Sequence, residues 1–321
     1  MARFLVTGGC GFIGSHLVNE LVERGHQVRV LDNLSTGKVS NLAYAIDFVE
    51  GDISDRSTVL DCVSDVDGVF HLAAISSVAL TTTEWLECHE INLTGTINVF
   101  DAVSRIGNGR TSVVYASSAA VYGDTSGDIL SETTIPRPIS AYGADKLGCE
   151  LHARVATLLH SVPTVGLRLF NIYGPRQDPT SPYAGVIAIF ADRLRQNLPI
   201  DVFGDGNQTR DFVFVSDAVK FFIAAMTSEE GRGKSFNVCT GRGTTIVDLA
   251  KILSSLYGVT PDIQFKVARS GDIRRSIGSP LAATRALHCN TTTNIETGLA
   301  ATFAQAMVDR SLRSESKSSR C

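Results

Sequence analysis

The sequence predicts an α/β fold, a doubly wound parallel sheet with a smaller C-terminal lobe. Three observations carry this. Short apolar runs alternate with helix-spaced segments through the first half, the pattern of parallel strands joined by right-handed helical crossovers. A glycine-rich turn joins the first run to the first helical segment. After residue 170 the alternation gives way to interleaved short runs and loops marked by Pro175, Pro179 and Pro182. The 321 residues suffice for one large domain or two unequal ones.

Taken in order, residues 4–6 read as a buried strand. Residues 12–24 read as a helix with Ile13, Leu17, Val18, Leu21 and Val22 at helical spacing, ended by Gly25. Strands follow at 27–31 and 48–50, a helix at 57–63 and a strand at 68–72. A long amphipathic helix is expected over 90–106 and a strand over 112–116. A helix from about 141 to 160 stops ahead of Pro163, and 164–169 is the next strand. The chain thus divides into a first domain over 1–170 and a lobe over 171–310, some of whose segments return to the first. Residues 311–321 are polar, charged and serine-rich and read as a frayed tail.

Composition excludes several functions. Apolar residues make up 44%, charged residues 19%, and the net charge is −4. There is no basic block or aromatic-interleaved basic stripe, so nucleic acid is not an expected partner. No stretch reaches roughly 18 uninterrupted apolar residues, and the first apolar run lies too close to Thr7, Gly8 and Gly9 for a signal peptide. No membrane association is expected, and a cytoplasmic location is. The seven cysteines, Cys10, Cys62, Cys88, Cys149, Cys239, Cys289 and Cys321, include no C-x-x-C pair. That fits reduced thiols. The seven histidines are dispersed as well, and no metal site is expected.

The first strand runs into Thr7-Gly8-Gly9-Cys10-Gly11-Phe12-Ile13-Gly14, and a helix follows at once. Gly8, Gly11 and Gly14 allow backbone N–H groups to approach a pyrophosphate, and the helix N-terminus adds partial positive charge. The strand-turn-helix context is what gives the glycines meaning. Asp32 ends the second strand. A carboxylate there accepts hydrogen bonds from adenosine ribose hydroxyls and repels a 2′-phosphate, which favours NAD over NADP. Asp52 and Ile53, after the third strand, can flank the adenine; Asp52 also reads as a helix cap.

Tyr142 and Lys146 stand four residues apart on a predicted helix, one turn apart on one face. A phenol is a poor base at neutral pH. A nearby ammonium and a positive nicotinamide ring favour the phenolate. A hydroxyl at a neighbouring strand end can hold the substrate oxygen, and Ser117 and Ser118 are the candidates.

With these residues in view, the sequence resembles the UDP-sugar 4-epimerases of the extended short-chain dehydrogenase/reductase family, whose fold is of the Rossmann type. The matching stretches are TGGCGFIGSHL, VLDNLSTG, GDI, HLAA, INLTGT, SSAAVYG, YGADK, LRLFNIYGPRQ, GDGNQTRDFVFVSD and GDIRRS. They span the chain from Arg3 to about Phe303. The resemblance implies cofactor contacts at Gly8, Gly11, Phe12, Ile13, Gly14, Asp32, Asn33, Thr36, Gly37, Asp52, Ile53, Leu72, Ala73, Ala74, Asn92, Ser117, Tyr142 and Lys146. It implies that Tyr142 is the base, Lys146 its partner, and Ser118 the hydroxyl that aligns the sugar, since Ser118 stands four residues before Tyr122. For the substrate it implies Asn171, Val186, Phe203, Arg210, Arg269 and Asp272 around the nucleotide diphosphate, with the two arginines suited to phosphates.

The resemblance also implies a mechanism. Tyr142 takes the C4 hydroxyl proton, hydride passes to NAD, the 4-keto sugar turns, and hydride returns to the opposite face. Ala119-Ala120 cannot move protons, which argues against the related 4,6-dehydratases and decarboxylases; Asp32 argues against the NADP-dependent reductases. By register from Gly271-Asp272, Ser276 holds the position that limits the C2 substituent, and its small size implies tolerance of N-acetyl groups. A glucuronate epimerase is a second implied reading, and a non-catalytic NAD-binding scaffold a third. Gly278-Ser279 and Thr81-Thr82-Thr83 depart from the family pattern. A homodimer through the helices 90–106 and 141–160 is the family expectation.

Overall fold

The computed structural model describes residues 1–78, 80–106, 109–125, 129–177, 185–269 and 272–304. Pro179, Pro182, Gly271 and the expected tail over 311–321 lie outside them. The first half alternates as β1 (Arg3–Thr7), α1 (Phe12–Glu23), β2 (Gln27–Asp32), β3 (Asp47–Glu50), α2 (Arg56–Val63) and β4 (Gly68–His71). Next come α3 (Leu80–Thr83), α4 (Trp85–His89), α5 (Gly95–Ile106), β5 (Ser112–Ser118), α6 (Ala141–Leu159) and β6 (Thr164–Leu169). The second half holds β7 (Asn171–Tyr173), α7 (Val186–Arg195), β8 (Ile200–Phe203), β9 (Thr209–Arg210), β10 (Phe212–Phe214), α8 (Val215–Thr227) and β11 (Lys234–Val238). It continues through β12 (Thr244–Thr245), α9 (Ile246–Leu256), β13 (Ile263–Lys266), β14 (Arg275–Ser276) and α10 (Leu281–Leu287). A last helical stretch covers 295–304.

Seven strands form one parallel sheet in the order β11-β6-β5-β4-β1-β2-β3. Strands buried on both faces need continuous apolar runs rather than alternation. Leu5, Val6, Val30, Leu31, Val69, Phe70, Val113 and Val114 supply them, and none has exposed surface. Each such Leu, Val or Phe contributes about 1.5–3 kcal/mol relative to an exposed side chain. One face packs Leu17, Val18 and Leu21 of α1 with Ala218, Phe221 and Phe222 of α8. The other packs Val59 of α2, Val99 and Val103 of α5, and Cys149 and Ala153 of α6. A third apolar cluster joins Phe190 and Leu194 of α7, Ile200 and Val202 of β8, and Leu249 and Leu253 of α9.

β11 lies beside β6, so the second half contributes a strand to the central sheet. β1 sits between β2 and β4, the point where strand order reverses, and the crevice outside the carboxyl ends there is where such folds take their ligands. Thr7, Asp32, His71 and Ser118 all stand at those ends.

Two expectations need correction. The helix expected over 90–106 begins earlier, as α4, and passes through a π-helical turn at Glu90–Thr94 before α5. Such wide turns recur at functional sites. β5 runs through Ser118 rather than stopping at residue 116, so Ser117 and Ser118 belong to the strand and point to opposite faces. The hydroxyls of Thr81, Thr82 and Thr83 bond backwards to the carbonyls of Val78, Val78 and Leu80. No helix among the described residues is long and apolar enough to cross a membrane.

Candidate active site

Close packing, more than loop flexibility, dictates the glycines of the first turn. Gly8 has φ +68°, and a Cβ on it would stand 2.7 Å from the Ala73 nitrogen. A Cβ on Gly14 would stand 2.1 Å from the Gly8 carbonyl oxygen. On Gly11 it would meet only that same oxygen, at 3.2 Å. The turn is therefore tight behind and open in front. Gly11 stands at the N-cap position of α1, and among the described residues no side chain takes up the first N–H groups, among them those of Phe12 and Ile13. An uncapped helix start with open space before it suits a pyrophosphate.

Around it stand the other residues read from the sequence. Asp32 is buried; its Oδ2 accepts from Cys10 N at 2.9 Å and its Oδ1 from Leu34 N at 2.8 Å. A Cβ on Gly37 would come within 3.0 Å of Asp32 Oδ1. Thr36 beside it is exposed. Asn33 Nδ2 donates to Asp52 Oδ2 at 2.6 Å, which ties the loops after β2 and β3 together. Ser54 donates twice to Asp52. Burial acts against ionisation of Asp52, but these donors outweigh it and lower its pKa. Ile53 is buried beneath.

The segment Leu72-Ala73-Ala74 lies against the glycine turn. Leu72 N donates to Thr7 O at 3.1 Å and Ala73 N to Thr7 Oγ1 at 3.2 Å. Asn92, in the π-helical turn, pins the next residue from both sides, accepting from Ile75 N at 2.8 Å and donating to Ile75 O at 3.1 Å. In this structure its amide serves the loop.

The catalytic candidates come together at the start of α6. Ser140 caps the helix by accepting from Gly143 N at 3.1 Å. Gly143 lets the helix approach the turn Ala119–Tyr122, since a Cβ there would stand 2.6 Å from Ala120 O. Tyr142 is half-buried, and Lys146, which is buried, holds its ammonium 5.8 Å from the Tyr142 ring centre. Lys146 Nζ donates to Ala116 O at 3.0 Å. Ser118 Oγ accepts from Ala120 N at 3.1 Å, leaving its own proton to give. The Ser117 hydroxyl donates to Glu150 Oε1 at 2.6 Å.

In the second half, β9 pairs with β14, so Arg210 lies beside Ser276 in register. Arg210 is bound to Asp272 Oδ1 at 2.6 Å and to Ile273 O at 2.6 Å. Arg269 lays its guanidinium over the Phe203 ring at 3.8 Å. Both arginines, expected on phosphates, thus have protein partners in this structure. Asn171 is exposed at the start of β7, its N–H donating to Asp211 O. Val186 opens α7 at the margin of the third apolar cluster. Ser276 is buried.

Sequence reasoning missed several buried polar residues here. Asp211 is fully buried and accepts from Thr240 N and Oγ1, Gly241 N and Gly278 N. Burial still pushes its carboxyl above the usual range. It fastens the 240–241 loop and Gly278 to the strand that carries Arg210. His71 is clamped between Thr7 Oγ1 at 2.7 Å and Thr96 Oγ1 at 2.9 Å. Burial, with Lys146 nearby, pushes its pKa down to about 3, so it is a neutral strut. Its position in HLAA was the only signal for it.

The profile of the NAD dependent epimerase/dehydratase family matches residues 4–239. A UDP-glucose 4-epimerase of Mycolicibacterium smegmatis is 37% identical over 280 residues, covering 85% of this chain and 88% of that protein. The crystal structure of the Thermotoga maritima UDP-glucose 4-epimerase with UDP-glucose superposes with TM-score 0.91 at 36% identity, covering 97% of this chain and 99% of that one. A UDP-N-acetylglucosamine 4-epimerase from Methanobrevibacter ruminantium, in complex with UDP-N-acetylmuramic acid, gives TM-score 0.90 at 32% identity, covering 96% and 99%.

Proposed function

The chain belongs to the NAD dependent epimerase/dehydratase family, and from that premise we propose that it interconverts UDP-sugars at C4, as an isomerase that keeps NAD bound throughout. The substrates proposed are UDP-N-acetylglucosamine/UDP-N-acetylgalactosamine and UDP-glucose/UDP-galactose. The observation that carries this reading is the cluster of Tyr142, Lys146 and Ser118 over the end of β5, next to a glycine turn that no side chain among the described residues caps. Gly8, Gly11, Phe12, Ile13 and Gly14 hold the pyrophosphate, Asp32 the adenosine ribose, and Asn33, Asp52 and Ile53 the adenine side. Bound NAD supplies a hydride acceptor at the sugar C4 and then a hydride donor.

Tyr142 removes the proton from the C4 hydroxyl and returns it at the end. Lys146 stabilises the phenolate by charge, while Ser118 holds the C4 oxygen by hydrogen bond. Ala119 and Ala120 have no ionisable side chain to donate or accept a proton, so they give the intermediate no route to elimination. On the nucleotide side, burial lowers the pKa of Arg210 and Asp272 only partly offsets it. A half-buried cation whose carboxylate partner is exposed gains from a phosphate. Arg269 on Phe203 offers a second cation beside an aromatic face for the base.

The division into a dinucleotide domain over 1–170 and a nucleotide-sugar lobe over 171–310 belongs to this proposal, as does a cytoplasmic location. So does a homodimer. Leu151, Val155 and Leu158 are exposed on α6, and Trp85 and Leu86 on α4. An apolar stripe at helical spacing suits burial against a second copy.

The test is incubation of the purified protein with UDP-N-acetylglucosamine, UDP-glucose and UDP-glucuronate, products being read by proton NMR. The 4-epimer of UDP-N-acetylglucosamine is expected. If only UDP-galactose or UDP-galacturonate forms, the argument from Ser276 fails while the epimerase reading stands.

A further inference from the structure

Tyr142, Lys146 and Glu150 recur every fourth residue along α6, which lays them along one face. That face meets the end of β5 residue by residue. Lys146 holds the Ala116 carbonyl at 3.0 Å, and Glu150 holds the Ser117 hydroxyl at 2.6 Å. The next residue is Ser118.

Glu150 is itself held. Arg168, the register partner of Ser117 on β6, grips both its oxygens, Nε to Oε1 at 2.8 Å and Nη2 to Oε2 at 2.7 Å. Both side chains are 8% exposed. The third arm of Arg168 donates to the Tyr122 hydroxyl at 2.8 Å, and its guanidinium lies 4.9 Å over that ring. Tyr122 in turn donates to Asn237 Oδ1 at 2.7 Å, and Asn237 Nδ2 to Leu130 O at 2.9 Å. The network therefore grips β5 just before Ser118 and the short turn just after it.

A buried ion pair is weak as a source of stability, because desolvation offsets its attraction. Its geometry is another matter: two fixed forks and a chain of hydrogen bonds allow one arrangement. We propose that Glu150, braced by Arg168, is a positioning residue for the epimerisation, setting the register of Ser117 so that the Ser118 hydroxyl and the Tyr142 phenol converge on one sugar oxygen. The inference rests on the UDP-sugar 4-epimerase reading. A displacement of about 1 Å at a reacting group costs up to ~10²-fold in rate, so the link from helix to strand is felt in turnover.

Ser117→Ala cuts that link and leaves the Glu150–Arg168 pair intact; Ser117→Thr restores a hydroxyl. Glu150→Gln keeps an acceptor and the volume but unbalances Arg168. The readouts are kcat and KM on the best UDP-sugar, bound NAD per chain, and the thermal midpoint. Ser117→Ala is expected to lose about tenfold in kcat with KM within about twofold, NAD retained and the midpoint little changed. Ser117→Thr is expected to recover most of the loss, and Glu150→Gln to lose about 10²-fold. Ser117→Ala turning over like the wild type overturns the positioning role and leaves the epimerase reading standing. So does a loss that merely tracks the thermal midpoint or NAD content. A wild-type protein inactive on every UDP-sugar overturns the functional reading and this inference together.

Discussion

Tyr142→Phe is expected to lose turnover by about 10²–10⁴-fold, the range a positioned proton-transfer group contributes, or about 3–5 kcal/mol in the barrier. The ring stays and only the hydroxyl goes, so the half-buried side chain keeps its packing. No hydrogen bond of the glycine turn passes through Tyr142, so NAD should remain bound at the wild-type ratio. The measurement is initial rate together with cofactor released on denaturation. A variant that still turns over within a few-fold of the wild type would mean that another group takes the proton. Loss of NAD along with activity would mean that Tyr142 serves the cofactor site instead.

Gly14→Ala is expected to remove the cofactor. Its methyl would stand 2.1 Å from the Gly8 oxygen and 2.9 Å from the Gly9 Cα. Both neighbours are backbone, so the turn itself must move. Overpacking of this kind costs about 1–3 kcal/mol. The displaced N–H groups no longer meet the pyrophosphate, and a further ~3 kcal/mol off binding is ~10²-fold in affinity. The variant should purify largely free of NAD, with a lowered thermal midpoint. Gly11→Ala separates the two effects. Its methyl has one neighbour, at 3.2 Å, and points toward the ligand side, so the fold should hold while NAD binding weakens. Equal NAD content in Gly14→Ala and wild type would contradict the role given to this turn.

What could be read from the sequence has a common physical basis. The sheet strands announced themselves as short apolar runs because a parallel strand is buried on both sides. The glycine turn and the Tyr142/Lys146 pair were legible because their meaning is local: a few residues in a strand-turn-helix context, or one helical turn. What escaped was set by distant partners. Nothing near Ser117 indicates that its hydroxyl faces Glu150, 33 residues on. Arg210 meets Asp272 across 62 residues, and Tyr122 meets Asn237 across 115. The π-helical turn was hidden because Glu90–Thr94 continues an ordinary helical pattern. Asp211 reads as a polar break between β9 and β10, and only the fold turns it inward to four donors.

The central claim is that the hydrogen at sugar C4 leaves and comes back within one closed site. The most direct test is a UDP-sugar carrying deuterium at C4, incubated in ordinary water with the purified protein and no added cofactor. The account predicts that the 4-epimer forms with deuterium still at C4. Epimer carrying solvent hydrogen at C4, or none formed without added NAD, would contradict it.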